Sequence, residues 1–210
     1  MKRYEAVLFD FDGVLARTME DNYNAWKYAF SLRGIDITKE EYFLLEGAST
    51  KKVAEHFLGE NAGNPEMVRE TVDMKEKYYM DNNKFSLYEG AEELVRNLKK
   101  KKYLLGLVSG ASRERLSKSV QQSFLSLFDV VITGDDTDNC KPAPDSYLAA
   151  AERLTVAPSG CVVVENAPMG IEAAVRAGMY CVAVCSTLDR KYLEKADKII
   201  HRLTEIKKVL

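Results

Sequence analysis

"AVLFDFDGVLART", residues 6–18, starts as an apolar run and ends on two carboxylates, Asp10 and Asp12, with Gly13 directly behind them. Four apolar residues without polar alternation read as a strand covered on both faces, the signature of a parallel sheet packed between helices. The same kind of run returns at "YLLGLVS" (103–109), "FDVVIT" (128–133), "CVVVE" (161–165) and "YCVAVC" (180–185). Amphipathic stretches near 90–101, 113–122, 145–154 and 169–177 separate these runs. The alternation predicts an α/β fold with a Rossmann-like parallel-sheet core.

Residues 19–84 break the rhythm, because they hold no strand-like run. Tyr23, Trp26, Ala29 and Phe30 recur at helical spacing, as do Val53, Ala54, Phe57 and Leu58. "GENAGNP" (59–65) interrupts them, and Pro65 is suited to open the next helix. The expected organisation is therefore a core formed by 1–16 and 85–210, with an inserted α-helical cap domain at 17–84.

Composition narrows the function classes. Of 210 residues, 46% are hydrophobic and 30% charged, which excludes a wholly disordered chain. The formal net charge of −2 gives no bulk attraction to nucleic acid or an anionic membrane, so phosphate recognition has to be local. No apolar run approaches the ~18 residues of a membrane span, and the run before Asp10 is too short for a signal-peptide core. Cys140, Cys161, Cys181 and Cys185 form no CxxC pair, and three of them lie in or beside strand-like segments, as buried reduced thiols do. His56 and His201 are far apart, against a zinc site. A cytoplasmic protein is expected, a monomer or weak dimer, with neither nucleic acid nor membrane as partner.

Open parallel sheets bind ligands at the carboxyl ends of their strands. Asp10 and Asp12 stand at such an end. So do Ser109 in "LVSG", Lys141 in "CKPAPDSY", and Glu165 with Asn166 in "CVVVEN". Each alone reads as a turn or cap residue; together they make a phosphoryl-transfer set. A carboxylate can attack phosphorus, and a second one two residues on can protonate the leaving oxygen and later deprotonate water. Oxygen-only donors around concentrated negative charge suit Mg²⁺. Ser109 and the amides after it can hold phosphoryl oxygens, Lys141 can neutralise developing charge, and Gly13 and Gly110 permit close backbone approach. Pro142 and Pro144 stiffen the lysine loop.

"DFDGVL", "VSGAS", "KPAPDSY" and "VVVENAPMGIEAAVRAGM" resemble, in order and across the whole chain, the four motifs of the haloacid dehalogenase-like hydrolase superfamily. The helical insert resembles the cap of the subfamily that holds phosphoglycolate phosphatases and β-phosphoglucomutase. The resemblance implies Asp10 as nucleophile, Asp12 as general acid/base, and Ser109 and Lys141 as phosphate ligands. It also implies metal held by Asp10, the Asp12 carbonyl, Glu165 and Asn166. The expected activity is Mg²⁺-dependent hydrolysis of a small phosphorylated metabolite through an aspartyl-phosphate.

Some positions depart from the subfamily pattern. Its last motif reads Glu-Asp where this chain has Glu165-Asn166, and Cys140 replaces the glycine that often precedes the lysine. Mutases of the family carry a histidine where Asn22 stands, and their cap loop ends in an arginine where "GAST" (47–50) has Thr50. That arginine would grip a second phosphate, so a phosphatase is favoured over a sugar-phosphate mutase, unless Lys51 or Lys52 supplies the missing charge. Asn22, Thr50 and Lys51, with Gly110, are the candidates for contacts to substrate. Tyr23, Trp26 and Phe30 are expected to pack the cap, "KKKK" (99–102) to be a solvated helix end, and "DDTD" (135–138) a loop of solvated acids.

Overall fold

Leu8 and Phe9, adjacent in the first strand, are both fully buried, on opposite faces of one sheet. A computed structural model describes residues 4–210. In chain order the elements are β1 (Ala6–Asp10), α1 (Met19–Ser31), α2 (Lys39–Leu44), α3 (Thr50–Leu58) and α4 (Pro65–Asn82). Then come α5 (Ala91–Lys100), β2 (Leu104–Val108), α6 (Arg113–Ser119), α7 (Gln122–Leu125) and β3 (Val130–Ile132). The chain closes with α8 (Asp145–Leu154), β4 (Cys161–Glu165), α9 (Pro168–Arg176), β5 (Tyr180–Val184) and β6 (Lys198–Ile200).

The strands form one parallel sheet in the order β3-β2-β1-β4-β5-β6. The central strand is β1, with Phe9 opposite Leu107 of β2 on one side and Val164 of β4 on the other. Strand period two sends Ala6 and Leu8 into one apolar layer and Val7 and Phe9 into the other. Burial of Val7, Leu8 and Phe9 contributes about 1.5–3 kcal/mol each of transfer free energy, and of Ala6 less. The strand order reverses at β1, so the crevice of a doubly wound sheet opens where Asp10 ends the strand.

Between β1 and α5 stand four α-helices, a short 3-10 turn at Gly59–Gly63 and no strand. Trp26 stacks on Phe30 at 5.3 Å between ring centroids, and Phe30 meets Phe57 at 5.2 Å, so the aromatic stripe packs these helices together. Pro65 opens α4, and the Asn64 side chain caps it by accepting from Glu66 N at 3.0 Å. The chain enters and leaves this layer side by side: Arg17 N donates to Ser86 O at 2.8 Å and Tyr88 N to Leu15 O at 2.9 Å.

Several local readings need correction. The stretch 113–122 is two helices, because Val120 is extended between α6 and α7. The edge strand β6 is three residues long, too short for a periodicity to show. Asp136 is no solvated acid: it accepts from Thr133 N (2.8 Å), Thr133 Oγ1 (2.6 Å), Arg113 and Arg153, clasping the loop after β3. Burial works against its charge, but hydrogen bonds from Thr133 and Arg153, with the charge of Arg113, bring its carboxyl down to about 2. Of the cysteines, all free, Cys161 and Cys181 are buried while Cys185 and Cys140 are half-buried. Among the described residues no helix is long and apolar enough to cross a membrane.

Candidate active site

Because β2, β1 and β4 are neighbours, Ser109, Asp10 and Glu165 emerge at one edge of the sheet. After Asp10 the chain folds tightly: Phe11 O accepts from Leu15 N and Ala16 N, both at 3.0 Å. Gly13 has φ +82°, and a Cβ there would lie 2.8 Å from Asn166 Cγ and nearer still to the amide nitrogen. A glycine is thus required for two reasons, backbone sign and the approach of Asn166.

Lys141, from the loop between β3 and α8, is buried and its Nζ lies between two carboxylates. It donates to Asp10 Oδ1 and, at 2.7 Å, to Glu165 Oε1. Tyr147 of α8 donates to the same Glu165 oxygen at 2.6 Å, and Glu165 Oε2 accepts from Asn166 N (2.9 Å) and Ala167 N (3.4 Å). Both oxygens of Glu165 are therefore occupied by this chain's own donors. Burial works against the charge on Lys141, but Asp10 and Glu165 hold its pKa above the usual lysine range. Burial raises Asp10 well above an ordinary carboxyl, with Lys141 opposing. Ser109 is buried, and its Oγ accepts from Ala111 N at 3.1 Å.

Asp12 belongs to a second network, shared with the helical layer. Thr18 Oγ1 donates to Asp12 Oδ1, Asn22 Nδ2 reaches the same oxygen at 3.4 Å, and Arg115 Nη2 lies 3.2 Å from Oδ2. Arg115 also donates to Asn22 Oδ1 at 3.2 Å and lies 3.6 Å from Glu76. Lys75 of α4, only 1% exposed, donates to Asn22 Oδ1 and to Glu76 Oε1, each at 2.9 Å. It sits over the rings of Tyr79 (5.0 Å) and Trp26 (5.6 Å). Burial, with Arg115 nearby, lowers its ammonium to about 8.

Two cavities flank this centre. One, under the helical layer, is lined by Asp10, Asp12, Asn22, Glu46, Lys75 and Arg115, among others. The other, of about 310 Å³, opens past Ser109, Lys141, Ser112, Thr133 and Ser146. Gly110 and Thr50 border both. Lys51 borders neither: it is exposed on the far side of α3, 3.7 Å from Glu55. The loop before α3 rests on the site, since a Cβ on Gly47 would come within 3.0 Å of Lys141 Cδ.

The residues fit a hard cation on one specific observation. Asn166 Nδ2 donates to Thr187 Oγ1 at 3.0 Å, while Asn166 Oδ1 is buried with no hydrogen-bond partner. An orphaned amide oxygen beside Glu165 is costly unless something electropositive meets it. Among the described residues no three His, Cys, Asp or Glu side chains gather as a metal cluster. An amide at 166 leaves that strand end with a single carboxylate, Glu165.

Arg115, Lys75, Glu76, Glu46 and Tyr147 are absent from the set read off the sequence. Tyr147 lies inside the quoted "KPAPDSY", and Lys75 shares a helical stripe with Thr71 and Tyr79, so each left a faint trace. Arg115 and Glu46 left none.

A family model described as haloacid dehalogenase-like hydrolase matches residues 7–184. The chain is 32% identical over 213 residues to the validoxylamine A 7′-phosphate phosphatase of Streptomyces hygroscopicus subsp. limoneus, covering 97% of this chain and 96% of that one. It is 28% identical to the β-phosphoglucomutase of Bacillus subtilis, covering 86% and 83% of the two chains. A solved structure of a putative β-phosphoglucomutase from Bacteroides vulgatus superposes with a TM-score of 0.87 at 26% identity, covering 98% of this chain and 86% of that one. With motifs, fold and strand-end site in agreement, the chain belongs to the haloacid dehalogenase-like hydrolases, in their branch of phosphatases and phosphoglucomutases.

Proposed function

We propose that the protein is a Mg²⁺-dependent phosphatase of small phosphate monoesters, acting through an aspartyl-phosphate on Asp10. The observation that carries this reading is Lys141, whose ammonium lies between Asp10 and Glu165 at the ends of β1 and β4. Lys141 and the Ser109 hydroxyl receive phosphoryl oxygens, while Asp10 attacks phosphorus in line with the leaving oxygen. Asp12, on the opposite wall, gives that oxygen its proton and afterwards takes one from the attacking water. Glu165 anchors Lys141 and Tyr147, so the side-chain metal donor at this strand end is the free oxygen of Asn166. Mg²⁺, held by Asp10, the Asp12 carbonyl and Asn166, supplies positive charge against the phosphoryl oxygens when bound. The helical layer, residues 17–84, caps the core and excludes water from the acyl phosphate.

Hydrolysis is favoured over phosphoryl exchange between two sites on a sugar. Thr50 places no cation in the cap loop, and Lys51 points away toward Glu55. The relative named as a validoxylamine A 7′-phosphate phosphatase supports a small phosphorylated metabolite as the substrate. The test is release of inorganic phosphate from p-nitrophenyl phosphate and a set of sugar phosphates, with Mg²⁺ and with chelator. Asp10→Asn should remove turnover while leaving the fold intact. A variant retaining more than about 1% of the rate would overturn the nucleophile assignment.

A further inference from the structure

The chamber between core and helical layer is crowded with charge, and its cations are all engaged. Lys141 is paired with Asp10 and Glu165, Arg115 with Asp12 and Glu76, and Lys75 with Glu76. Among the described residues, no other lysine or arginine borders the two cavities. Two acids there stand outside these pairs: Asp135, which accepts from Arg113 N at 2.7 Å at the outer cavity, and Glu46. Glu46 lies in the loop between α2 and α3 and lines the cavity above Asp10 and Asp12, yet it joins no ion pair among the described residues. Its side-chain neighbour is the Tyr42 hydroxyl.

We propose that Glu46 is a specificity-determining residue: it receives a hydroxyl or ammonium group of the leaving group and bars a second phosphate from the chamber. The inference rests on the phosphatase reading and names the class of substrate within it, monophosphates whose remainder is neutral or cationic and rich in hydrogen-bond donors. Three observations support it. The position is right, since Glu46 faces the same space as Asp12, where the leaving oxygen must lie. The surrounding acceptors suit hydroxyls, because Ser49, Thr50, Ser112, Thr133 and Ser146 border the adjoining cavity and the Ser146 hydroxyl is buried without a partner. The local field opposes further negative charge: the carboxylates of Asp10, Asp12 and Glu76 line the same adjoining cavities as Glu46. A second phosphate would bring two such charges to a place with no free cation.

The experiment compares kcat/KM for sorbitol phosphate, glucosamine phosphate and fructose bisphosphate in wild type, Glu46→Gln and Glu46→Lys. Wild type should prefer both monophosphates over the bisphosphate by at least about tenfold, the effect of one unfavourable charge contact in a partly buried site. Glu46→Gln should lower kcat/KM for glucosamine phosphate more than for sorbitol phosphate, mainly through KM. Glu46→Lys should shift the ratio of bisphosphate to glucosamine phosphate upward by about tenfold or more. Equal turnover of bisphosphate and monophosphates by wild type would overturn the proposal, as would the same ratios in all three proteins. Circular dichroism identifies a variant that has not folded, and the other then decides. Should wild type release no phosphate even from p-nitrophenyl phosphate, it is the phosphatase reading that fails. Calorimetric binding of the same three compounds to the same proteins then decides the role of Glu46 by the same ratios.

Discussion

Gly170→Ala is a sharp test of how the site is held, because local propensity and tertiary packing make opposite forecasts. Gly170 lies in the first turn of α9, and alanine in a helix interior is favoured over glycine by about 1 kcal/mol. A Cβ at 170, however, would lie 2.5 Å from Glu165 Oε2, with Oε1 and Cδ nearer still. The carboxylate is the fixed point for Lys141, Tyr147 and the Asn166 amide, so it cannot yield without loosening all three. Hydrogen bonds to a charged group are worth about 1.5–3 kcal/mol each, and leaving a buried ion pair without one partner costs about 3–5 kcal/mol. Lys141 keeps Asp10, so the lower end applies. The net expectation is a destabilisation of about 2–4 kcal/mol, with Lys141 displaced and activity reduced.

Urea unfolding of wild type and Gly170→Ala measures the first effect, and phosphate release the second. Gly63, with no atom within 4 Å of its would-be Cβ, supplies the control substitution. Glu165→Asp retracts the carboxylate by one methylene and should relieve the clash, so the double variant is less destabilised than the two single costs added. A Gly170→Ala protein as stable as wild type, or more stable, refutes the assignment of Glu165 as the anchor of the site.

Asp12→Asn should lower turnover of alkyl phosphates by about 10²–10⁴-fold and of p-nitrophenyl phosphate by much less in single-turnover reactions; equal losses speak against Asp12 as the acid. Asn166→Asp should tighten Mg²⁺ binding and Asn166→Leu weaken it, by direct titration of metal as well as by activity; three coincident curves would mean Asn166 is no ligand. Asp136 is held at about 2, below the ~3.9 of a free aspartate, so its stabilisation is present above pH ~4 and is lost as pH falls toward about 2. The stability gap between wild type and Asp136→Asn should therefore close over that window, and a gap independent of pH contradicts the clasp.

The parallel core was legible because its strands are buried on both faces and therefore apolar throughout. β4 begins and ends at the residues its sequence run marks, Cys161 and Glu165, since a run of valines between Gly160 and Asn166 leaves no other reading. β6 was hidden because an edge strand of three residues needs little hydrophobicity: Lys198 is exposed and Ile199 only half-buried. Asp136 misled for a related reason. In an acidic run the residue that accepts four donors has the same letter as those that meet water.

The site divides the same way. Asp10, Ser109 and Glu165 follow from strand ends, which can be located from sequence, and Lys141 from the quoted motif in the loop between β3 and α8. The chamber's other wall depends on contacts between distant segments: Arg115 reaches Asp12 across 103 positions and Lys75 reaches Asn22 across 53. Asn22 shows what that concealed. Read alone it was a histidine position that had lost its histidine. In the structure its Oδ1 accepts from both Lys75 and Arg115 while its Nδ2 donates to Asp12 and to Thr18 O. A neutral imidazole offers one acceptor nitrogen, whereas an amide oxygen offers two lone pairs. The asparagine therefore accommodates two cations at this point, Lys75 of α4 and Arg115 of α6.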